Sequence, residues 1–99
     1  MKLGAILVNT SRGPVIDEEA LFKALESGRL SAAGLDVFNT EPLQHNSPLM
    51  NLSNIVLAPH IGSASTSTRS TMATMCAENL IAVLSGARPV NIVNPEVFE

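Results

Sequence analysis

The chain of 99 residues has room for one small domain or part of a larger one, and cannot hold a two-domain enzyme. Hydrophobic residues make up 45% and charged residues 15%, which suits a chain with a buried core and argues against disorder. The 6 Lys and Arg against 9 Asp and Glu leave a formal charge of −3, and the only aromatic residues are 3 Phe, so nucleic-acid, anionic-membrane and pure recognition roles are all disfavoured. Cys76 is the sole cysteine, so no intramolecular disulfide or paired-cysteine metal knuckle can form, and its expected place is in a core. The apolar stretch after Met1-Lys2 is too short for a secretory leader or a membrane span, and the expected setting is the reducing cytoplasm.

In chain order, Gly4–Asn9 is an almost unbroken apolar run, the pattern of a parallel strand covered on both faces. It ends in the polar turn Thr10-Ser11-Arg12-Gly13-Pro14. Asp17 is placed to cap a helix, with Glu18 and Glu19 at the positive end of its dipole and Ile16 and Leu21 at the positions of a hydrophobic staple. Gly28 supplies the stop, and Ala33–Phe38 is a second predicted strand. Asn39–Ser53 is a long polar loop with Pro42 and Pro48, of the kind that often carries function. Asn54–Ala58 is a third strand, stopped by Pro59. Ser65 or Thr66 then caps a last helix whose Met72, Met75, Cys76, Leu80, Val83 and Leu84 stripe is expected to pack, before Gly86 and an extended tail.

This order of elements predicts an α/β fold with a mainly parallel sheet, and ligands of such sheets gather at the carboxyl ends of the strands. Three places qualify: Thr10–Gly13, Asn39–Glu41 and His60–Ser63. Arg12 offers a planar fork of donors suited to a carboxylate, or is a surface arginine with a local partner. Asp36, set in an apolar run, needs donors either from the protein or from a ligand. His60 lies between Pro59 and Ile61-Gly62 at a strand exit, and a carboxylate such as Glu41 against its ring would fix its tautomer and favour the charged form that a general acid requires. His45 reads as an ordinary loop residue. The two histidines and one cysteine do not have metal-ligand spacing, so no metal site is expected. No nucleophile elbow, phosphate loop or G-x-G-x-x-G turn occurs.

Three ordered motifs, Gly4-Ala-Ile-Leu-Val-Asn-Thr-Ser-Arg-Gly-Pro-Val-Ile-Asp-Glu-Glu-Ala-Leu21, Ala33-Gly-Leu-Asp-Val-Phe-Asn-Thr-Glu-Pro42 and Asn54-Ile-Val-Leu-Ala-Pro-His-Ile-Gly-Ser-Ala64, closely resemble the D-isomer-specific 2-hydroxyacid dehydrogenases, and within them the glyoxylate/hydroxypyruvate reductases. The resemblance implies the C-terminal half of a Rossmann-type NAD(P)-binding domain over residues 1–64, followed over 65–99 by a long inter-domain helix and an extended C-terminal arm. It implies that Arg12 clamps the substrate's carboxylate and keto oxygen, that Glu41 holds and charges the histidine, and that His60 donates a proton to the keto oxygen. It also implies that Thr10, Ser11, Arg12, Asp36, His60, Ile61 and Gly62 lie near the nicotinamide half of NAD or NADP. A small 2-oxo acid is the implied substrate, and a homo-oligomer is the implied form of the complete protein.

The chain is expected to be a fragment, whether a truncated product or a partial sequence, because the substrate domain and the Gly-rich half of the cofactor domain do not occur in it. Two functions then compete: part of a reductase that acts when the missing half is supplied, or a catalytically inactive remnant or assembly module of the same family.

Overall fold

A parallel strand pair needs a crossover of a dozen or more residues, and the stretch between the first two strands supplies one. The computed structural model describes residues 1–98. Strand β1 (Ala5–Asn9) passes through a single 3-10 turn at Gly13–Val15 into helix α1 (Glu18–Glu26), which returns the chain to β2 (Leu30–Leu35). The helix begins where the sequence says it should: the Asp17 carboxylate accepts the Ala20 N–H at 3.0 Å, with Glu18 and Glu19 in the first turn. It ends at Gly28, whose φ of +72° is the left-handed conformation that a residue with a Cβ resists.

Strand β3 (Ile55–Leu57) completes a three-stranded sheet in the order β1-β2-β3, with both pairings parallel. Between β2 and β3 the crossover is made by Asp36–Asn54 without an α-helix, only a 3-10 turn at Pro48–Asn51. That topology explains the length of this segment, since a parallel return cannot be short. Leu49 inside it is 1% exposed and joins Leu21, Leu25, Leu30, Ala33, Leu35 and Phe38 in one core, against which Ala5, Leu7, Ile55 and Leu57 pack. Each such leucine side chain contributes about 1.5–3 kcal/mol by leaving water.

Two expectations about the strands are corrected. The second strand was placed at Ala33–Phe38, but it runs Leu30–Leu35, because Leu30 already pairs with Ala5; Asp36, Val37 and Phe38 are buried beyond the ladder. The strands were also expected to be covered on both faces. Both crossovers lie on one face, leaving Ile6, Val8 and Val56 on the other at 66%, 69% and 71% exposure.

The chain divides into two units, Met1–Gly62 and Ser63–Glu99. In the second, α2 (Thr66–Leu84) starts at Ser65, whose hydroxyl accepts the Thr68 N–H at 3.1 Å, and Gly86 follows its end with φ +75°. None of its residues is buried and Cys76 is exposed, contrary to the packed stripe and core cysteine expected from the spacing. Met72, Met75, Leu80, Ile81, Val83 and Leu84 are all exposed along it. In the tail, Asn91 and Asn79 exchange two hydrogen bonds at 3.3 Å, N–H to Oδ1 and Nδ2 to Oδ1, and a single 3-10 turn forms at Pro95–Phe98. No helix among the described residues is long and apolar enough to cross a membrane.

Candidate active site

Parallel strands all point one way, so the segments leaving β1, β2 and β3 emerge along one sheet edge. At the first exit the buried Asn9 shapes the turn: its Oδ1 accepts from the Ser11 N–H at 3.0 Å and the Ser11 hydroxyl at 2.9 Å, and its Nδ2 donates to the Arg12 carbonyl at 2.9 Å. Asn9 was not among the residues singled out from sequence, although an Asn closing an apolar strand before a polar turn is a recognisable signal for such local bonding. Gly13 is there for space. A Cβ on it would lie 2.0 Å from the carbonyl carbon and oxygen of Phe38, so the Arg12 turn is pressed against the segment leading to Glu41. Thr10, Ser11 and Arg12 are exposed at this rim, and Arg12 Nη1 donates to the Ser11 carbonyl at 2.6 Å.

At the second exit, Glu41 makes two bonds in different directions. Its Oε1 accepts the Phe38 N–H at 3.0 Å, and its Oε2 meets His60 Nδ1 at 2.8 Å. The hydrogen bond from His60, then that from Phe38 and in smaller part the charge of Arg12, hold the Glu41 carboxyl below the usual carboxylate range. The structure thus joins Glu41 and His60 by a direct bond, while the Arg12 guanidinium bonds the Ser11 carbonyl at the first exit. A carboxylate only accepts, so Nδ1 donates in this bond and the ring's other nitrogen, Nε2, is not used by Glu41.

At the third exit, His60 has φ +55°, a left-handed conformation that costs about 1–3 kcal/mol in a residue with a side chain. Its N–H donates to the Ala58 carbonyl at 3.1 Å, and the next two amides, Ile61 and Gly62, donate to the two oxygens of Asp36 at 2.8 and 2.7 Å. Asp36 is buried at 8% exposure, so the carboxylate that looked anomalous in an apolar run is satisfied by backbone. Beside the Glu41–His60 pair opens a cavity of about 580 Å³, mostly apolar, with Phe38, Leu43, Met50 and Leu57 among its lining residues; the exposed His45 lines it too.

Thr10, Ser11, His60, Ile61 and Gly62 are all exposed at this sheet edge. These residues offer no cradle for the pyrophosphate. Among the described residues no group of three or more His, Cys, Asp or Glu gathers as a metal site.

Residues 1–62 match the family model for the NAD-binding domain of the D-isomer-specific 2-hydroxyacid dehydrogenases. The chain belongs to this family. Among curated members, the chain is 60% identical over 99 residues to the glyoxylate reductase of Korarchaeum cryptofilum, and covers all of itself but 30% of that protein. It thus spans about 30% of the length of the curated relatives it matches. Among solved structures it is 55% identical to a Thermus thermophilus protein, with a TM-score of 0.84 over 94% of this chain and 30% of that one. It is also 39% identical to the NADPH-dependent glyoxylate/hydroxypyruvate reductase of Sinorhizobium meliloti solved with NADP and malonate, with a TM-score of 0.81 over 89% of this chain and 27% of that one. The fold is accordingly part of a Rossmann-type domain of the family, its parallel sheet bearing the three motifs at its carboxyl edge.

Proposed function

We propose that these residues form the substrate-side catalytic portion of an NAD(P)-dependent reductase of small 2-oxo acids such as glyoxylate or hydroxypyruvate. The observation that carries this reading is the 2.8 Å contact between Glu41 Oε2 and His60 Nδ1 at the sheet edge that also bears Arg12. Arg12 would bind the carboxylate of the acid through its planar fork and draw the keto oxygen toward the site. Glu41 holds Nδ1 of the His60 ring at 2.8 Å, which fixes the tautomer and leaves Nε2 as the nitrogen that meets the substrate. As the keto carbon becomes an alkoxide carbon, the Nε2 proton passes to its oxygen, leaving neutral imidazole and the hydroxy acid. A nicotinamide, when bound beside Thr10, Ser11 and His60–Gly62, supplies the hydride. The Rossmann setting and the relatives' names support NAD or NADP as that cofactor.

A second reading, that the 99 residues act by themselves as an assembly module of the family, is favoured by the exposure of Ile6, Val8 and Val56 on one sheet face. The experiment replaces the matching segment of the Korarchaeum glyoxylate reductase with this chain. The chimera is expected to oxidise NADPH or NADH with glyoxylate, and His60→Gln to lower kcat by about 10²–10⁴-fold with cofactor affinity retained. A folded, cofactor-binding chimera without turnover, or one indifferent to His60→Gln, refutes the proposal. The isolated chain is expected to show no turnover.

A further inference from the structure

Glu18 and Glu19 both stand in the first turn of α1, but they are used differently. Glu19 is exposed, and its Oε1 meets Lys23 Nζ at 2.6 Å. Glu18 precedes Leu21 by three residues and Leu25 by seven, and these are the two buried side chains of the helix, so the helical period puts Glu18 on the packed face. A half-buried carboxylate there needs a donor, and it finds one 21 residues on: Oε1 accepts the Asn39 N–H at 2.7 Å.

The segment that supplies this donor has little else to hold it. Among the described residues, Val37–Leu43 make no backbone–backbone hydrogen bond. Asn39, Thr40 and Glu41 are exposed, so packing does not fix them either. Two amides of the segment are held by carboxylates instead, Phe38 by Glu41 and Asn39 by Glu18. The Phe38 bond closes a local turn, which could move as a unit. The Asn39 bond reaches α1, and through Leu21 and Leu25 the core.

We infer that Glu18 is a positioning residue for Glu41: its bond to the Asn39 amide ties the exposed Asn39–Glu41 segment to α1, and so keeps the Glu41 carboxylate on Nδ1 of His60. Its effect on turnover rests on the Glu41–His60 pair being the proton-donating pair of the proposed reductase.

Two readouts test the inference, with Glu19→Ala as the control that also removes one first-turn carboxylate and so shares any loss at the helix dipole. In the 99-residue chain, Glu18→Ala is expected to speed hydrogen exchange by about fivefold or more at Asn39 and at Phe38, whose acceptor is Glu41, with the Asp36 amide unchanged; Glu19→Ala leaves all three at the parent rate. In the glyoxylate reductase chimera, Glu18→Ala is expected to lower kcat by about tenfold with KM for NADPH within about twofold, and Glu19→Ala to leave both within about twofold. Glu18→Gln lacks the charge but keeps an oxygen able to accept the Asn39 N–H, and should restore kcat to within about threefold of the parent, a rescue that a role in helix charge alone would not give. Should Glu18→Ala fail to fold, Glu18→Asp, charged but one methylene short of Asn39, is expected to give the same exchange pattern. Exchange at Phe38 that stays at the parent rate, equal losses of kcat in Glu18→Ala and Glu19→Ala, or no rescue by Glu18→Gln overturns the positioning role. Turnover that survives His60→Gln removes the reductase reading instead, while the exchange pattern still decides whether Glu18 holds the segment.

Discussion

Gly13→Ala is the sharpest perturbation of this site that leaves every polar group in place. The new Cβ would lie 2.0 Å from the carbonyl carbon and oxygen of Phe38 and 2.4 Å from the Asn39 nitrogen, against the 3.4–4 Å of ordinary contact. All three atoms are backbone, so no side chain can swing aside, and the two segments must part by more than an ångström. That segment is pinned on its other side by the Asn39 N–H bonded to Glu18 Oε1 at 2.7 Å and the Phe38 N–H bonded to Glu41 Oε1 at 3.0 Å. Overpacking of this kind costs about 1–3 kcal/mol, and with backbone on both sides of the clash the upper end, about 3 kcal/mol, applies. At about 4–8 °C per kcal/mol for a unit of this size, Tm should fall by about 12 °C or more. The assay is thermal and urea unfolding of the 99-residue chain by circular dichroism, with Gly34→Ala as the matched control. A Cβ at Gly34 would meet only the Val8 methyls, at 3.9 Å and beyond, so that variant should melt no lower than the parent. A Gly13→Ala chain melting within about 3 °C of Gly34→Ala refutes the close-approach argument.

Acid should act on the same neighbourhood through Glu41, whose carboxyl titrates below its ordinary 4.5 in the folded chain because His60 and the Phe38 N–H bond its charged form. A depressed folded value gives stability that is present above pH 4.5 and is lost as pH falls through the folded value, so Glu41→Gln should flatten the acid limb of a stability–pH curve. Parallel limbs in parent and variant would show that the pair does not form. In the core, Leu25 is 2% exposed on the buried face of α1, and Leu25→Ala should lower unfolding free energy by about 2–5 kcal/mol, read as a urea midpoint shift at unchanged m.

Much of this architecture is legible in local chemistry. Asp17, Gly28, Ser65 and Gly86 mark helix ends because capping bonds and left-handed turns act within a few residues, which a linear reading can see. What the linear reading misplaces depends on neighbours. Val37 and Phe38 look like strand because they are apolar, yet they are buried in a loop that has already left the ladder. The unpacked α2 has the same origin, since spacing shows where apolar residues fall and not whether a partner surface meets them. At the site, motif likeness marked Arg12, Glu41 and His60. The collision that would follow from any Cβ at Gly13 comes only from the folded chain, because it rests on Phe38 and Asn39 atoms that are remote in sequence, whereas the Asn9 bonds to Ser11 and Arg12 are local.

The strand order explains why one buried aspartate can matter to the whole edge. An antiparallel sheet would send alternate strand exits to opposite edges, whereas here Asn9, Leu35 and Leu57 end their strands side by side. β2 is the middle strand, so the residue directly after it stands between the other two exits. Asp36 uses this place fully: its N–H reaches the carbonyl of Asn9, the residue that shapes the Arg12 turn, and its carboxylate reaches the amides that follow His60. Charge-assisted bonds to a buried carboxylate are among the stronger ones a backbone can make. The turn that bears Arg12 and the loop that bears His60 are therefore both referenced to the most enclosed strand of the sheet, and a disturbance at Asp36 should reach the Ile61–Gly62 amides directly while reaching Arg12 only through Asn9.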